Sequence, residues 1–254
     1  MDVRTDVDRD GSTVVDASGY SATCTVWWGQ PDQAQRHHFD LLNPEERGRA
    51  RAYRQPVDQN RFIVGCVMTR LALARLLGKH PVDVALSRHC DDCERPHGRP
   101  RVPGDTWHIS VSHAGDLVGV ALTQAGPIGL DVEPTSQRVP EVDELVLTEG
   151  ERRTLRSLPE SQYDSGFLRY WVRKEAVLKA AGVGLRVAMT DISVTGPDQS
   201  AALLRYQDAP GPMLMRDVSA RTGHLATVAV VTDRSALAVV ERDGSELLAS
   251  PAHR

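Results

Sequence analysis

The sequence predicts an α+β fold of two similar halves, in which each half packs a small, mostly antiparallel sheet against a long helix. Helical patterns and short strand patterns follow one another twice along the chain, and the two sets separate near residues 130–140. The chain has 254 residues, of which 41% are hydrophobic, enough to bury one large core or two small ones. No residue-level repeat accompanies the repeated order of elements.

The first half is predicted to begin with a strand at residues 23–29 and a helix whose N-cap is Asn43. Pro44 occupies the first position of that helix, and Glu46 completes a capping box. The longest helical pattern covers residues 60–78 and ends at a glycine. Two alternating segments, "WHISVS" and "LVGVALT", predict a pair of strands joined by the turn "HAGD".

The second half is predicted to begin with the strand "PIGLDVE" and to continue with helices over about 141–158 and 165–181. Five alternating segments then predict strands: "DISV", "ALLRY", "PMLMRDV", "LATVAVV" and "ALAVVE". The expected organisation is a flexible tail at 1–19, a first half at 20–130, a second half at 131–242 and a flexible tail at 243–254.

Composition argues against several classes of protein. The net charge of −4 gives no general basic field for binding nucleic acid, and no apolar run approaches the roughly 18 residues that a membrane span needs. The acidic, polar N-terminus is unlike a secretory signal. Four cysteines do not make a dense disulfide framework, so a reducing cytoplasm is the expected location.

Three charges interrupt the otherwise apolar helix "RYWVRKEAVLKAAGVGL": Lys174, Glu175 and Lys179. One interpretation is an exposed pair between Glu175 and Lys179, four residues apart. The alternative is a functional site, since buried charges must be paired, bound to an ion or directed into a cleft. Lysine usage favours the site, because the chain has only three lysines among 30 basic residues and two of them lie here.

Asp131 and Glu133 lie two residues apart on a predicted strand, so both side chains face the same way. A solvated strand face would explain them, but two adjacent carboxylates also suit Mg²⁺, which prefers oxygen ligands and often binds substrate phosphates. Gly129 would let a ligand or another chain segment approach closely. Together with Glu175 and the lysines, these residues could handle a pyrophosphate with Mg²⁺.

These motifs together resemble the 4′-phosphopantetheinyl transferases, in particular the large, surfactin-synthetase-activating type. That family carries G-[IL]-D-x-E followed by W-x-x-K-E-[AS]-x-x-K, which match residues 129–133 and 171–179. "SVSHAG" at residues 110–115 is similar to a third family segment, N-[IL]-S-H-S-G. The resemblance covers about residues 22–240 and implies a site in the cleft between the two halves.

The resemblance implies roles for ten residues. Asp131, Glu133 and Glu175 would hold Mg²⁺, or Mn²⁺ in its place, and Glu175 would also act as general base. Lys179 would neutralise charge on the pyrophosphate and the leaving group. The remaining residues would contact coenzyme A, mainly through its phosphates: Arg49, Arg61, Arg99, Ser112, His113 and Lys174.

The implied reaction transfers the 4′-phosphopantetheine arm of coenzyme A to a serine of an acyl or peptidyl carrier domain and releases adenosine 3′,5′-bisphosphate. Such carriers serve fatty-acid, polyketide or nonribosomal peptide synthesis, and the length suggests a monomer with one site. The alternative is a non-catalytic relative that binds coenzyme A or a carrier protein. All three carboxylates and both motif lysines are present, which favours the enzyme.

Two further features leave alternatives open. Cys90, Cys93 and His97 have zinc-like spacing, but they lack a certain fourth ligand, so reduced loop thiols are the other interpretation. Glu149 or Glu151 could correspond to a further acidic position of the family and join the metal site, and Glu151 aligns better.

Overall fold

The computed structural model describes residues 21–88, 98–136 and 142–249, except for the side chain of residue 185. The α-helices are α1 Pro44–Ala52, α2 Pro56–Leu77, α3 Asp143–Val146, α4 Glu149–Arg156, α5 Tyr163–Ala181 and α6 Ser245–Leu248. The strands are β1 Ser21–Gly29, β2 His108–Ala114, β3 Leu117–Thr123, β4 Ile128–Pro134, β5 Ser193–Val194, β6 Leu203–Arg205, β7 Met213–Val218, β8 His224–Val231 and β9 Ala236–Asp243.

The first half is a four-stranded sheet in the order β2-β3-β1-β9, covered on one face by α2. Helix α2 begins with Pro56 at its first turn, earlier than the sequence pattern indicated. It ends at Gly78, whose φ of 61° is the left-handed conformation typical of a helix C-cap. The capping box of α1 is as expected, since Asn43 Oδ1 accepts from Glu46 N and Glu46 Oε2 accepts from Asn43 N.

The second half is a three-stranded sheet in the order β4-β8-β7, covered on its outer face by α5. A two-stranded sheet of β5 and β6 lies at its side. The helix predicted over 141–158 is two helices, because Thr148 leaves the helical conformation and starts a new capping box with Glu151.

The inner faces of the two sheets pack on one another, so the layers run α2, first sheet, second sheet, α5. Trp28 and Leu117 from the first sheet meet Leu130 and Val228 from the second in this shared core. Strand β9 follows the second half in sequence but pairs parallel with β1 in the first sheet. The other strand pairs are antiparallel, and the α+β prediction is confirmed.

The structure corrects the prediction for the C-terminal tail. Residues 243–249 were expected to be flexible, but they form the end of β9 and helix α6, and Leu247 and Leu248 are buried against α2. Two adjacent leucines are enough to anchor a short helix by burial of apolar surface. Residues 1–20, 250–254 and the possible zinc ligands Cys90, Cys93 and His97 lie outside the described residues. The predicted boundary between the two halves, at residue 130 within β4, stays a prediction.

Candidate active site

The two sheets meet where their edge strands β2 and β4 lie side by side. Ser110 and Ser112 of β2 point toward β4, as residues two apart on a strand must. Ser110 Oγ accepts a hydrogen bond of 2.9 Å from Leu130 N, and Ser112 Oγ donates one of 3.1 Å to Asp131 Oδ1. These bonds fix the register between the halves and place the β4 carboxylates beside β2.

Helix α5 approaches β4 at Gly129. A Cβ atom at this position would lie 2.0 Å from the carbonyl oxygen of Ala176, closer than any real contact. Glycine therefore permits the helix to lie directly against the strand. Of the two expected alternatives, the group that approaches Gly129 is a chain segment and not a ligand. The consequence is that Lys179 and Glu175 of α5 are held over Asp131 and Glu133 of β4.

Asp131, Lys179 and Ser112 form a closed triangle of hydrogen bonds. Lys179 Nζ lies 2.6 Å from Asp131 Oδ1 and 3.0 Å from Ser112 Oγ. Asp131 is buried, and its Oδ2 atom is buried with no hydrogen-bond partner. Burial raises the pKa of Asp131, while the Lys179 ammonium and the Ser112 hydroxyl oppose that shift.

Glu133 and Glu175 share the negative field of Asp131. Burial raises the pKa of Glu133 to about 7, and the charges of Asp131 and Glu175 add to the shift. Burial followed by the charge of Asp131 also raises the pKa of Glu175. Trp171 Nε1 donates a hydrogen bond of 3.2 Å to Glu133 Oε1 and so orients that carboxylate. Three mutually repelling carboxylates are therefore clustered beside one lysine.

A cavity of about 640 Å³ opens next to this cluster, at the start of β4 and the C-terminal end of α5. Lys179 and Ser110 lie in its wall, together with four arginines: Arg88, Arg99, Arg101 and Arg186. None of the described residues that line it is acidic. Its charge and size suit a polyanion with an apolar part, such as a nucleotide.

Comparison with known proteins identifies the family. A family model described as the 4′-phosphopantetheinyl transferase superfamily matches residues 127–229. The 4′-phosphopantetheinyl transferase HetI of Nostoc sp. is 33% identical over 202 residues, which cover 75% of this chain and 80% of that protein. The chain belongs to this family. It is an enzyme, a phosphopantetheinyl transferase.

Other relatives are more distant. A 4′-phosphopantetheinyl transferase of Bacillus subtilis is 24% identical over 180 residues, covering 70% of this chain and 77% of that protein. The crystal structure of Thermotoga maritima holo-[acyl-carrier-protein] synthase aligns over 43% of this chain and 64% of its own, with 23% identity and a TM-score of 0.37. That overlap is partial, so the family assignment depends on the sequence relatives. Among the described residues of the transferase, no helix is both long and apolar enough to span a membrane.

Of the three arginines of the transferase that were expected to bind coenzyme A, only one lines the cavity. Arg99 lies in the cavity wall, where its Nη2 donates to the carbonyl oxygen of Lys179 at 2.8 Å. Arg61 donates to the carbonyl oxygen of Gly115 and to Asp58 Oδ1, and so holds the turn between β2 and β3. Arg49 lies 5.0 Å above the ring of Phe62. Neither Arg49 nor Arg61 is among the residues that line the cavity.

His113 lies exposed at the end of β2, just before the turn that Arg61 holds. Partial desolvation, followed by the positive charges of Arg61 and Lys179, lowers the pKa of its imidazole. The imidazole is thus within electrostatic range of both cations. The structure brings Ser112 into contact with Asp131 and Lys179 and leaves His113 exposed at the end of β2, and the contacts of both residues with phosphate stay predictions.

Lys174 is the main correction within the site. It was expected to contact phosphate, but the residue is 0% exposed and its Nζ lies 2.6 Å from Glu151 Oε2. It also donates to the carbonyl oxygens of Val146 at 2.7 Å and Met189 at 3.0 Å. All three ammonium protons are used, on the side of α5 that faces away from β4.

The same contacts correct the expectation for Glu151. Its Oε1 accepts from Val194 N and its Oε2 from Thr148 N and Lys174 Nζ, so the carboxylate is committed to the packing of α4 on α5. Glu149 is exposed and paired with Arg152 and Arg153. Neither glutamate reaches the carboxylate cluster.

Sequence reasoning missed Trp171, Ser110 and the arginines at 88, 101 and 186. Trp171 stood in the quoted motif, and its spacing of four residues before Glu175 already placed it on the same helix face. Ser110 shares its strand face with Ser112, which was a usable signal. The three arginines are scattered, and no local pattern in the sequence marks them.

Proposed function

We propose that this transferase moves the 4′-phosphopantetheine arm of coenzyme A to a serine of an acyl or peptidyl carrier domain and releases adenosine 3′,5′-bisphosphate. One observation supports the proposal most strongly: the carboxylates of Asp131, Glu133 and Glu175 lie beside Lys179, and Lys179 also lines a cavity walled by four arginines. A cationic cavity of about 640 Å³ is within the usual range for a nucleotide-sized ligand.

Coenzyme A would place its adenosine and 3′-phosphate in the cavity and its pyrophosphate over Lys179. The four cavity arginines offer planar donors that match phosphate oxygens, and Lys179 offers a single mobile charge where the bond breaks. Ser112 and His113 follow next along β2, toward the cleft opening. The pantetheine arm would leave the cavity in that direction, past Glu133.

The chemistry of the donor set fits a divalent cation, although the three carboxylates do not converge on one point in the described arrangement. Asp131 Oδ2 is buried without a partner, and the charge of Asp131 adds to the raised pKa of both Glu133 and Glu175, so oxygen ligands with surplus negative charge lie near one another here. Asp131, Glu133 and Glu175 would hold Mg²⁺, or Mn²⁺ in its place. When bound, the ion supplies charge neutralisation for the pyrophosphate oxygens.

The residues of the chain perform the remaining chemistry. Glu175 would accept the proton of the carrier serine, directly or through a water. The serine oxygen then forms a bond to the phosphorus that carries pantetheine, and the bond from that phosphorus to the departing bisphosphate breaks. Lys179 would donate to the oxygen that leaves, while Trp171 keeps Glu133 in position.

Intact-protein mass spectrometry tests the proposal. An apo carrier domain incubated with the transferase, coenzyme A and Mg²⁺ should gain the mass of one phosphopantetheine, and EDTA should abolish the gain. Both acyl and peptidyl carriers should be tried, because the carrier class is part of the proposal. Binding of coenzyme A without any mass gain on either carrier would contradict it.

We also propose that the enzyme is a monomer and that it is located in the cytoplasm.

The Mg²⁺ requirement is expected to rise as the pH falls below about 7. Burial raises the pKa of Glu133 to about 7, so the carboxyl is increasingly protonated below that pH. Because a proton and a divalent cation compete for the same oxygens, each pH unit should raise the half-saturating Mg²⁺ concentration by up to about tenfold.

Mg²⁺ titrations of the transfer rate between about pH 6 and pH 8 measure this effect. Glu133→Gln should bind the ion more weakly at every pH and lose most of the pH dependence. A half-saturating Mg²⁺ concentration that stays constant in the wild type across this range would show that Glu133 is not a ligand.

A further inference from the structure

Lys179 is paired with one of the two carboxylate oxygens of Asp131, a residue of the proposed metal site. Its Nζ lies 2.6 Å from Asp131 Oδ1, and Ser112 Oγ closes the same triangle. Across residues 21–88, 98–136 and 142–249, no three carboxylate, histidine or cysteine side chains converge as the ligands of a metal ion do. The ammonium of Lys179 therefore satisfies Asp131 in the arrangement that the structure shows.

The ammonium of Lys179 is also less enclosed than that of Lys174. The Lys179 side chain is 32% exposed and reaches Asp131 from the cavity side, whereas Lys174 is 0% exposed and bound by three acceptors. Lysine has a flexible four-carbon stem, so its charge can turn from Asp131 toward the cavity with little backbone movement. A pyrophosphate in the cavity would give it a second, stronger partner.

We infer that Lys179 is an internal cation that competes with the divalent ion for Asp131, so that coenzyme A and the divalent ion bind cooperatively. This inference rests on the proposed function, since it assumes that the pyrophosphate lies over Lys179. When the pyrophosphate binds the ammonium, Asp131 Oδ1 keeps only its hydrogen bond from Ser112, and the three carboxylates lose a competing positive charge. The ion then binds tightly only where a substrate is present.

The two ligands must help each other equally, because coupling between sites is reciprocal. The expected coupling is on the order of 5- to 150-fold, the usual range for two linked sites. Mn²⁺ binding to the wild-type transferase, measured by calorimetry or by electron paramagnetic resonance, should tighten by that factor when coenzyme A is added without a carrier domain. No turnover is needed for either measurement.

Lys179→Met is the decisive variant. It should bind Mn²⁺ more tightly than the wild type in the absence of coenzyme A, and the further gain in Mn²⁺ affinity on adding coenzyme A should be smaller than in the wild type. Lys179→Gln, which keeps a hydrogen-bond donor without the charge, repeats the test if the methionine variant does not fold. The exposed Lys79 provides a matched control, since Lys79→Met removes the same charge at a distance and should leave Mn²⁺ binding unchanged.

A second control separates competition from general electrostatics. Arg99 contacts the backbone of Lys179 but has no bond to Asp131, so Arg99→Met removes a nearby charge without freeing an oxygen. The gain in Mn²⁺ affinity should be clearly larger in Lys179→Met than in Arg99→Met. Equal gains, or unchanged or weaker Mn²⁺ binding in Lys179→Met, would overturn the inference. So would wild-type Mn²⁺ affinity that is independent of coenzyme A in a protein that still modifies a carrier, and that result would leave the proposed function intact.

Discussion

Glu175→Gln is expected to lower kcat/KM for transfer by about 10²- to 10⁴-fold, the range that a general base contributes. The change removes a proton acceptor and a negative charge while keeping the size and most of the polarity of the side chain. Glu175 is only partly buried on α5, and the pKa shifts show that it lies in the field of Asp131. The fold should therefore survive the substitution.

Steady-state transfer rates measured by mass spectrometry, with the unfolding midpoint as a check on folding, test this expectation. Asp164→Asn is a matched control, since it makes the same type of change at an exposed position in the first turn of the same helix. It should leave transfer unchanged. Transfer in Glu175→Gln within a few-fold of the wild type would remove Glu175 from the mechanism.

Lys174→Met is expected to cost about 3–5 kcal/mol in the free energy of unfolding, because it leaves the buried Glu151 carboxylate without its counter-charge. Two carbonyl oxygens, those of Val146 and Met189, lose their donor at the same time. The effect should be on stability and not on coenzyme A binding. Urea denaturation measures the first, and the KM for coenzyme A measures the second.

A double substitution sharpens this prediction. Replacing Lys174 by methionine and Glu151 by leucine together removes both buried charges, so the double variant should recover part of the lost stability. Lys79→Met, at an exposed position, should change the free energy of unfolding by less than about 0.5 kcal/mol. A Lys174→Met protein that is as stable as the wild type but binds coenzyme A poorly would restore the phosphate-binding role.

The wrong prediction for Lys174 shows that membership in a motif does not by itself indicate which way a side chain points. Residues 171, 175 and 179 are four apart and form one stripe on α5, the stripe that faces β4. Residue 174 is rotated by about 100° from residue 175, so it faces α4 instead. The sequence showed correctly that the helix is buried and that its charges need partners. The helical period also separated the two lysines, but their adjacency in the motif suggested a common role.

Long-range pairing is the other limit. Most strands and helices followed from hydrophobic period and caps, because those signals are local. The pairing of β9 with β1 depends on which sheet edge is open after the rest has folded, and the alternation in "ALAVVE" is equally compatible with either sheet. The cavity arginines come together only because the C-terminal end of α5 packs beside β2 and the segment before it, which no local pattern marks.

A crystal structure of the transferase with coenzyme A and Mn²⁺, with anomalous scattering used to locate the ion, tests the account most directly. The predicted result is a single Mn²⁺ bound by Asp131, Glu133 and Glu175, with Lys179 on the pyrophosphate and Lys174 still paired with Glu151. Coenzyme A bound elsewhere than the arginine-lined cavity, or Mn²⁺ away from these three carboxylates, would contradict it.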